Sequence, residues 1–111
     1  MNNIIDEVNE LKDLILDSEE YINYKKNLEL IESNDEINEL INKITDLQKE
    51  IVRLKHSKKN TTEKEKELDE LYVKLDKYEI YLDYIDSSKK LNELLTKIQS
   101  NFQEFFDSLV S

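Results

Sequence analysis

Apolar residues recur along the chain at intervals of three and four, which is the spacing of one face of an α-helix. The pattern begins at Ile4 and runs almost from end to end, interrupted only by short polar junctions. The clearest junctions lie at residues 17–20, 34–36 and 55–62. This arrangement predicts an all-α fold of four or five helices, with an antiparallel helical hairpin turning near residues 58–62 and a long C-terminal helix.

Residues that can cap a helix stand at these junctions. Ser18 and Asn34 each precede two acidic residues. A side-chain oxygen at such a position can accept a hydrogen bond from a free backbone N–H of the first helical turn. Thr62 is followed three residues later by Glu65, which is the spacing of a capping box. The sequence therefore predicts helix starts at these three caps.

The third segment carries the most regular seam, with apolar steps of three and four for nearly three heptads. This spacing is typical of helices that pair in a hairpin or a coiled coil. The fourth segment repeats it after a short connection, so the two helices should pack against each other. We expect these seam residues to be buried: Ile44, Leu47, Ile51, Leu54, Leu68, Leu71 and Leu75.

The last apolar stripe starts at Ile80 and continues to Leu109 without a breaking residue. A helix of about 30 residues is roughly 45 Å long, more than a chain of this size covers by itself. Its end is aromatic, with Phe102, Phe105 and Phe106. We expect part of this helix to project or to pack on a second chain, and we expect a homodimer in isolation.

Composition excludes several classes of protein. The chain has 111 residues, a formal net charge of −10, and no glycine, proline or cysteine. Turn-rich β folds need glycine and proline, and phosphate-binding loops need glycine. Disulfides and thiolate metal sites need cysteine. The acidic excess argues against direct binding of nucleic acid. The length fits a single helical domain over residues 1–111.

No group of residues indicates catalysis or metal binding. His56 is the only histidine, and Arg53 stands where a Glu-x-x-His motif would have its glutamate. Most carboxylates lie off the apolar stripes, as expected for a solvated face. An iron–sulfur cluster needs thiolate or histidine ligands that this chain does not supply. We therefore expect no catalytic site, no metal and no cofactor.

A basic run in this acidic chain is one candidate surface for protein contacts. It consists of Arg53, Lys55, His56, Lys58 and Lys59. Cations also suit the C-terminal end of a helix, whose carbonyl groups carry partial negative charge, and this is the alternative interpretation. A docking role would favour an acidic partner surface and would act chiefly on association rate and partner choice.

Aromatic residues form a second candidate surface. Tyr78, Tyr81 and Tyr84 follow Tyr72 within a short stretch, and the three phenylalanines lie near the end of the chain. Tyrosine is enriched in protein interfaces because it buries a large area and keeps a polar tip. Ordinary half-buried helix packing is the alternative for the tyrosines.

The end of the third segment resembles the YlbF/YmcA family of small helical bacterial regulators. The run Leu47-Gln48-Lys49-Glu50-Ile51-Val52-Arg53-Leu54-Lys55-His56 is similar to an LQK-x-x-V-x-LKH run in the YmcA branch, also called RicA. The junction over residues 31–37, the aromatic Tyr24 and the final segment over residues 80–95 are also similar. The resemblance extends over roughly residues 4–106.

Two features depart from the family pattern. Glu79 stands where the family usually has a proline that opens the last helix. The sequence therefore leaves open whether the fourth and fifth helices are continuous. The best-known members of the branch also carry a cysteine-containing C-terminal extension implicated in iron–sulfur binding by the family complex, whereas the 111 residues of this sequence contain no cysteine.

The resemblance implies a non-enzymatic adaptor in the cytoplasm, with no direct contact to nucleic acid or membrane. Such an adaptor acts with YlbF-like and YaaT-like proteins on the endoribonuclease RNase Y. It would influence mRNA processing and, through it, competence, sporulation and biofilm formation. The alternative is a structural coiled-coil or bundle protein that oligomerises without a nuclease partner.

Overall fold

The computed structural model describes residues 2–110, and these residues form five α-helices and no strand. The helices are α1 (Asn3–Leu16), α2 (Glu19–Glu32), α3 (Asp35–His56), α4 (Thr62–Leu75) and α5 (Glu79–Val110). The predicted all-α fold is therefore confirmed. Residues 76–78 separate α4 from α5, so these two helices are not continuous even though no proline opens the last one.

Two of the predicted caps are present. The Ser18 hydroxyl accepts a hydrogen bond from the backbone N–H of Tyr21 at 3.2 Å, in the first turn of α2. The Asn34 side-chain oxygen accepts one from the backbone N–H of Ile37 at 3.0 Å, in the first turn of α3. Each bond satisfies a backbone donor that has no partner inside its own helix, which explains why both helices start where the sequence predicts.

The predicted capping box at Thr62 is wrong. Thr62 is already the first residue of α4, and the preceding Thr61 makes no side-chain capping bond. The side-chain oxygen of Asn60 accepts from both the backbone N–H and the hydroxyl of Thr62, at 2.9 and 2.7 Å. Glu65, the other half of the predicted box, instead forms an ion pair with Lys55 at 3.1 Å. Both partners of the box are thus engaged elsewhere.

The chain forms two compact units, which are described separately. The terminal unit contains the described residues up to Leu28 and those from Tyr84 onward. The hairpin unit is Glu29–Asp83. Helices α2 and α5 each contribute residues to both units. The expectation of a single domain over residues 1–111 stays a prediction.

The hairpin unit is built on α3 and α4, which pack antiparallel as predicted. Cross-helix partners run in opposite directions along the two helices: Gln48 bonds to Tyr72, and Lys55 pairs with Glu65 nearer the turn. The buried apolar residues of this unit are Ile31, Ile37, Ile44, Leu47, Ile51 and Leu75. These residues form the core of the hairpin unit, and the turn that joins α3 to α4 lies at one end of the two helices.

Three residues of the predicted seam are only half-buried rather than buried. They are Leu54, Leu68 and Leu71. Helix α4 packs mainly against α3, so a seam residue near the turn is covered by one neighbouring helix and remains open on its other side. Ile44, Leu47, Ile51 and Leu75 are buried as expected.

The terminal unit has a small core with a polar component. Ser87 and Leu91 of α5 are buried. The Asn27 amide donates a hydrogen bond to the Ser87 hydroxyl at 3.0 Å, and the rings of Tyr24 and Tyr84 lie 5.8 Å apart. No residue of α1 is buried. None of the helices over residues 2–110 combines the length and apolarity required to cross a membrane.

The turn between α3 and α4 holds a lysine in the left-handed region of backbone conformation. Lys58 has a φ of 57°. Its N–H bonds to the carbonyl of Lys55 at 3.0 Å, and the N–H of Lys59 bonds to the carbonyl of Leu54 at 2.9 Å. These two bonds form the Schellman motif that ends many helices, usually with glycine at the left-handed position. A residue with a Cβ atom is strained there.

We expect the substitution Lys58→Gly to raise the free energy of unfolding by about 1 kcal/mol, because it removes the Cβ clash of the left-handed conformation. Urea denaturation of the wild type and the variant measures the difference. Lys59→Gly removes the same charge from the next position, where φ is not positive. This control should bring no gain, and an equal gain from both would assign the effect to charge.

Candidate interaction surfaces

The basic run predicted from the sequence lies at the turn end of the hairpin unit. Arg53, Lys55 and His56 occupy the last turn of α3, and Lys58 and Lys59 follow it. All five side chains are exposed. This position is consistent with both interpretations of the run, as a helix-end cap and as a docking surface.

The cations of this run are not equivalent. Lys55 is paired with Glu65 across the hairpin, at 3.1 Å from nitrogen to oxygen. Within residues 2–110, Arg53, Lys58 and Lys59 have no carboxylate at ion-pair distance. Exposed pairs such as Lys55–Glu65 contribute little to stability. The positive charge that the turn offers to a partner therefore comes from Arg53, Lys58 and Lys59. The sequence alone does not show that Lys55 differs from these three residues by being paired.

The candidate tyrosines are half-buried and divide between the two units. In the hairpin unit, the Tyr78 hydroxyl donates a hydrogen bond to Glu36 at 2.8 Å, and this bond raises the pKa of Tyr78. Burial raises the pKa of Tyr81, and the nearby Asp76 adds to the effect. Tyr84 belongs to the terminal unit, where its ring packs near Tyr24. Each of these side chains makes contacts within its own unit, and a partner-binding role for them stays a prediction.

The hydrogen bond at Tyr78 gives a testable dependence of stability on pH. Because the bond raises the pKa of Tyr78 above its ordinary value of 10.0, the protonated phenol contributes stability that is fully present below pH 10.0. This contribution is lost as the pH rises through the raised pKa. We expect the wild type to lose stability more steeply than Tyr78→Phe above about pH 10, because the phenylalanine has no proton to lose.

Chemical denaturation between about pH 8 and about pH 11 measures this difference. Glu36→Gln is the matched variant, since it keeps the Tyr78 phenol and removes the carboxylate that accepts its hydrogen bond. This variant should bring the slope toward that of Tyr78→Phe. Identical slopes for the wild type and Tyr78→Phe would contradict the assignment.

The three phenylalanines form one exposed aromatic surface near the end of α5. The ring centroids of Phe102 and Phe106 are 6.0 Å apart, and those of Phe105 and Phe106 are 6.1 Å apart. Each of the three side chains is more than a third exposed. The structure thus brings together all three aromatic residues that the sequence placed at the end of the last helix.

Two further features were not among the sequence-based candidates. The apolar stripe at the start of α1, with Ile4, Ile5 and Val8, is exposed. The helical spacing revealed the stripe but gave no sign that its own chain leaves it uncovered. The hairpin unit also carries an open cleft of about 460 Å³, lined by Glu36, Glu39, Leu40, Lys43, Lys74, Lys77 and Tyr78.

The sole histidine is exposed at the end of α3 and is followed by lysines. Among residues 2–110, no three acidic or histidine side chains are arranged so that they could share a metal ion. The prominent exposed features are instead the apolar start of α1, the aromatic end of α5 and the cationic turn after α3. The fold defines the class, which is that of small all-helical proteins.

Sequence comparison places the chain within this class. Residues 4–104 match the family described as "Control of competence regulator ComK, YlbF/YmcA". The chain is also 31% identical over 94 residues to "Uncharacterized protein YmcA" of Bacillus subtilis (strain 168). That alignment covers 83% of this chain and 66% of the relative, just under two thirds of its length. The protein belongs to the YlbF/YmcA family, which is described by control of the competence regulator ComK, and the predicted resemblance is confirmed.

Proposed function

We propose that this protein is a non-enzymatic adaptor that acts with YlbF-like and YaaT-like proteins on mRNA processing by RNase Y. Through these transcripts it influences competence, sporulation and biofilm formation. The observation that carries the proposal is the family match over residues 4–104, since the family is one that controls a competence regulator. The exposed surfaces of the protein give such an adaptor places to contact its partners.

The adaptor works in the cytoplasm and contributes no chemistry of its own. Membership in a regulatory family and an all-helical fold support this part of the proposal. With a net charge of −10, the protein repels RNA rather than binding it, so its effect on transcripts passes through protein partners. Contacts with other proteins are assigned to the basic turn and the candidate tyrosines. In isolation the adaptor is a homodimer, and the phenylalanine surface contributes to the contact with the second copy.

A structural oligomerisation protein without a nuclease partner is the second candidate. The exposed apolar residues of α1 and of the end of α5 favour it, because a bundle built from several copies would cover them. Purification of the tagged protein from its own cells separates the two candidates. An adaptor brings RNase Y or a YaaT-like protein with it, whereas a structural protein brings only copies of itself.

The direct test is transcript mapping after deletion of the gene. We expect RNase Y-dependent cleavage to decrease at specific transcripts and to return when the gene is supplied from a plasmid. A cleavage pattern unchanged by the deletion would contradict the adaptor proposal. Deletion of the gene for RNase Y in the same strain identifies the cleavage sites to be scored and serves as the positive control.

A further inference from the structure

The apolar seam of α5 is covered at one end and open at the other. From Leu91 to Leu109 its residues follow steps of four and three, the heptad spacing of a helix that packs along its whole length. Leu91 is 9% exposed, whereas Leu109 is 65% exposed. The intervening Phe102 and Phe105 are already exposed. The seam therefore continues for about three turns beyond the part that its own unit covers.

Helix α1 shows the same behaviour at its N-terminal end. Ile4, Val8, Leu11 and Ile15 follow steps of four, three and four. Leu11 and Ile15 are half-buried, whereas Ile4 is 72% exposed. The terminal unit thus has two helices, α1 and α5, whose apolar seams each continue into a part of the helix that the rest of the unit does not bury. Apolar seams of this spacing are stable in water when another helix packs on them.

The uncovered area matches what a stable interface requires. Six large apolar residues at these two helix ends are each more than half exposed: Ile4, Ile5, Phe105, Phe106, Leu109 and Val110. With about 200 Å² for each such side chain, their exposed fractions amount to roughly 770 Å² per chain, and Val8 and Phe102 add to this. Standard interfaces bury about 800 Å² on each partner.

The residues beside the α5 seam are uncharged, which indicates the kind of partner. Gln99, Asn101 and Ser108 flank the seam by helical spacing. Gln103, Glu104 and Asp107 lie on the opposite face, where the Gln103 amide donates a hydrogen bond to the Asp107 carboxylate at 2.9 Å. In a two-fold dimer each surface meets its own copy, so a rim of one charge would repel itself. Charged rims are the usual means of selecting a different chain as partner. A neutral rim, in a chain with 38% charged residues, suits self-pairing.

We propose that a second copy of this chain covers the free ends of α1 and α5, so that the dimer forms through the terminal unit. The inference rests on the proposed homodimer and specifies its surface. It adds α1 to the interface and leaves the basic turn and the hairpin unit outside it. The basic turn of each copy then stays accessible to other proteins.

Sedimentation equilibrium of purified variants tests this surface. Phe105→Gln with Leu109→Gln should raise the dimer dissociation constant at least about 100-fold, since central apolar residues dominate interface energies. Ile4→Gln with Val8→Gln should raise it at least about tenfold. Glutamine is a good helix former, so circular dichroism should show unchanged helix content. Because these side chains are exposed in the single chain, their replacement leaves its core intact.

Val52→Gln with Val73→Gln is the matched control. These two valines are 61% and 58% exposed but lie in the hairpin unit. We expect their replacement to change the dissociation constant less than about threefold. Raising the salt concentration from about 50 to about 500 mM should also change it less than about threefold, because the residues beside the α5 seam are uncharged.

Three results would overturn the inference: a wild-type monomer at roughly 200 µM, equal losses from the control and the α5 pair, or dimers that survive both α1 and α5 pairs. If dimers survive both pairs of substitutions, the protein is still a homodimer, but its interface lies on another surface. Failure of the adaptor proposal is read from transcript mapping and is independent of these measurements.

Discussion

The substitution Leu47→Asp should destabilise the protein by about 4 kcal/mol or more. Leu47 is 6% exposed and lies between Ile44 and Ile51 in the buried seam of the α3–α4 hairpin. A carboxylate there loses its hydration without gaining a partner, and the apolar contacts of the leucine are lost as well. Because small domains are stable by only about 5–15 kcal/mol, much of the population should unfold at moderate temperature. Urea denaturation and a thermal melt measure the loss.

Two further variants separate the causes of this loss. Leu47→Ala keeps the seam free of charge and should cost about 2–4 kcal/mol from the cavity alone. Val52→Asp adds the same charge five residues later on α3, at a side chain that is 61% exposed. It should change stability by less than about 0.5 kcal/mol. A melt of Leu47→Asp that coincides with the wild type would show that the seam of α3 faces away from α4.

The features that the sequence predicts well are governed by residues close together in the chain. The caps at Ser18 and Asn34 act on backbone groups three residues away, so their chemistry is local. The hairpin is predictable because α3 and α4 have matching apolar seams and because a connection this short forces the two helices to run antiparallel. The misplaced cap at Thr62 shows the limit of local rules. Asn60 lies close enough to compete for the same groups, and sequence spacing does not rank such competitors.

Burial is less predictable because it depends on which helices meet. Leu68 and Leu71 have the same spacing as the buried Leu75, yet they are half-buried because α4 packs mainly on α3. The break before α5 has a similar origin, since no breaking residue marks it. Leu75, the last residue of α4, is buried, and Tyr78, the last residue of the break, is held by its bond to Glu36. That bond joins residues 42 positions apart in the sequence.

The candidate surfaces were predictable in part. The basic run and the phenylalanines were identified from their positions along the sequence, and both are exposed. The sequence did not show that Lys55 is paired with Glu65, because that contact depends on the register of the hairpin. Nor did it show that Ile4 and Val8 remain uncovered, since periodicity locates an apolar face without identifying what covers it.

If the proposed adaptor docks through the hairpin turn, reversal of charge there should strongly reduce its capture of the nuclease complex. The variant carries Arg53→Glu, Lys58→Glu and Lys59→Glu, the three cations of the turn without an ion pair among residues 2–110. Lys55 is retained so that its pair with Glu65 still joins α3 to α4. If an acidic partner surface docks here, the reversal replaces attraction with repulsion. Capture of RNase Y and YaaT-like proteins at low salt should then fall at least about tenfold.

A second triple variant gives this experiment its control. Lys66→Glu, Lys74→Glu and Lys77→Glu make the same change in net charge on α4 and in the segment that follows it. Since long-range repulsion depends on total charge and docking depends on position, only the turn variant should lose capture if the turn is the docking surface. Equal losses would attribute the effect to net charge. Full capture by a folded turn variant would leave helix-end electrostatics as the role of these cations.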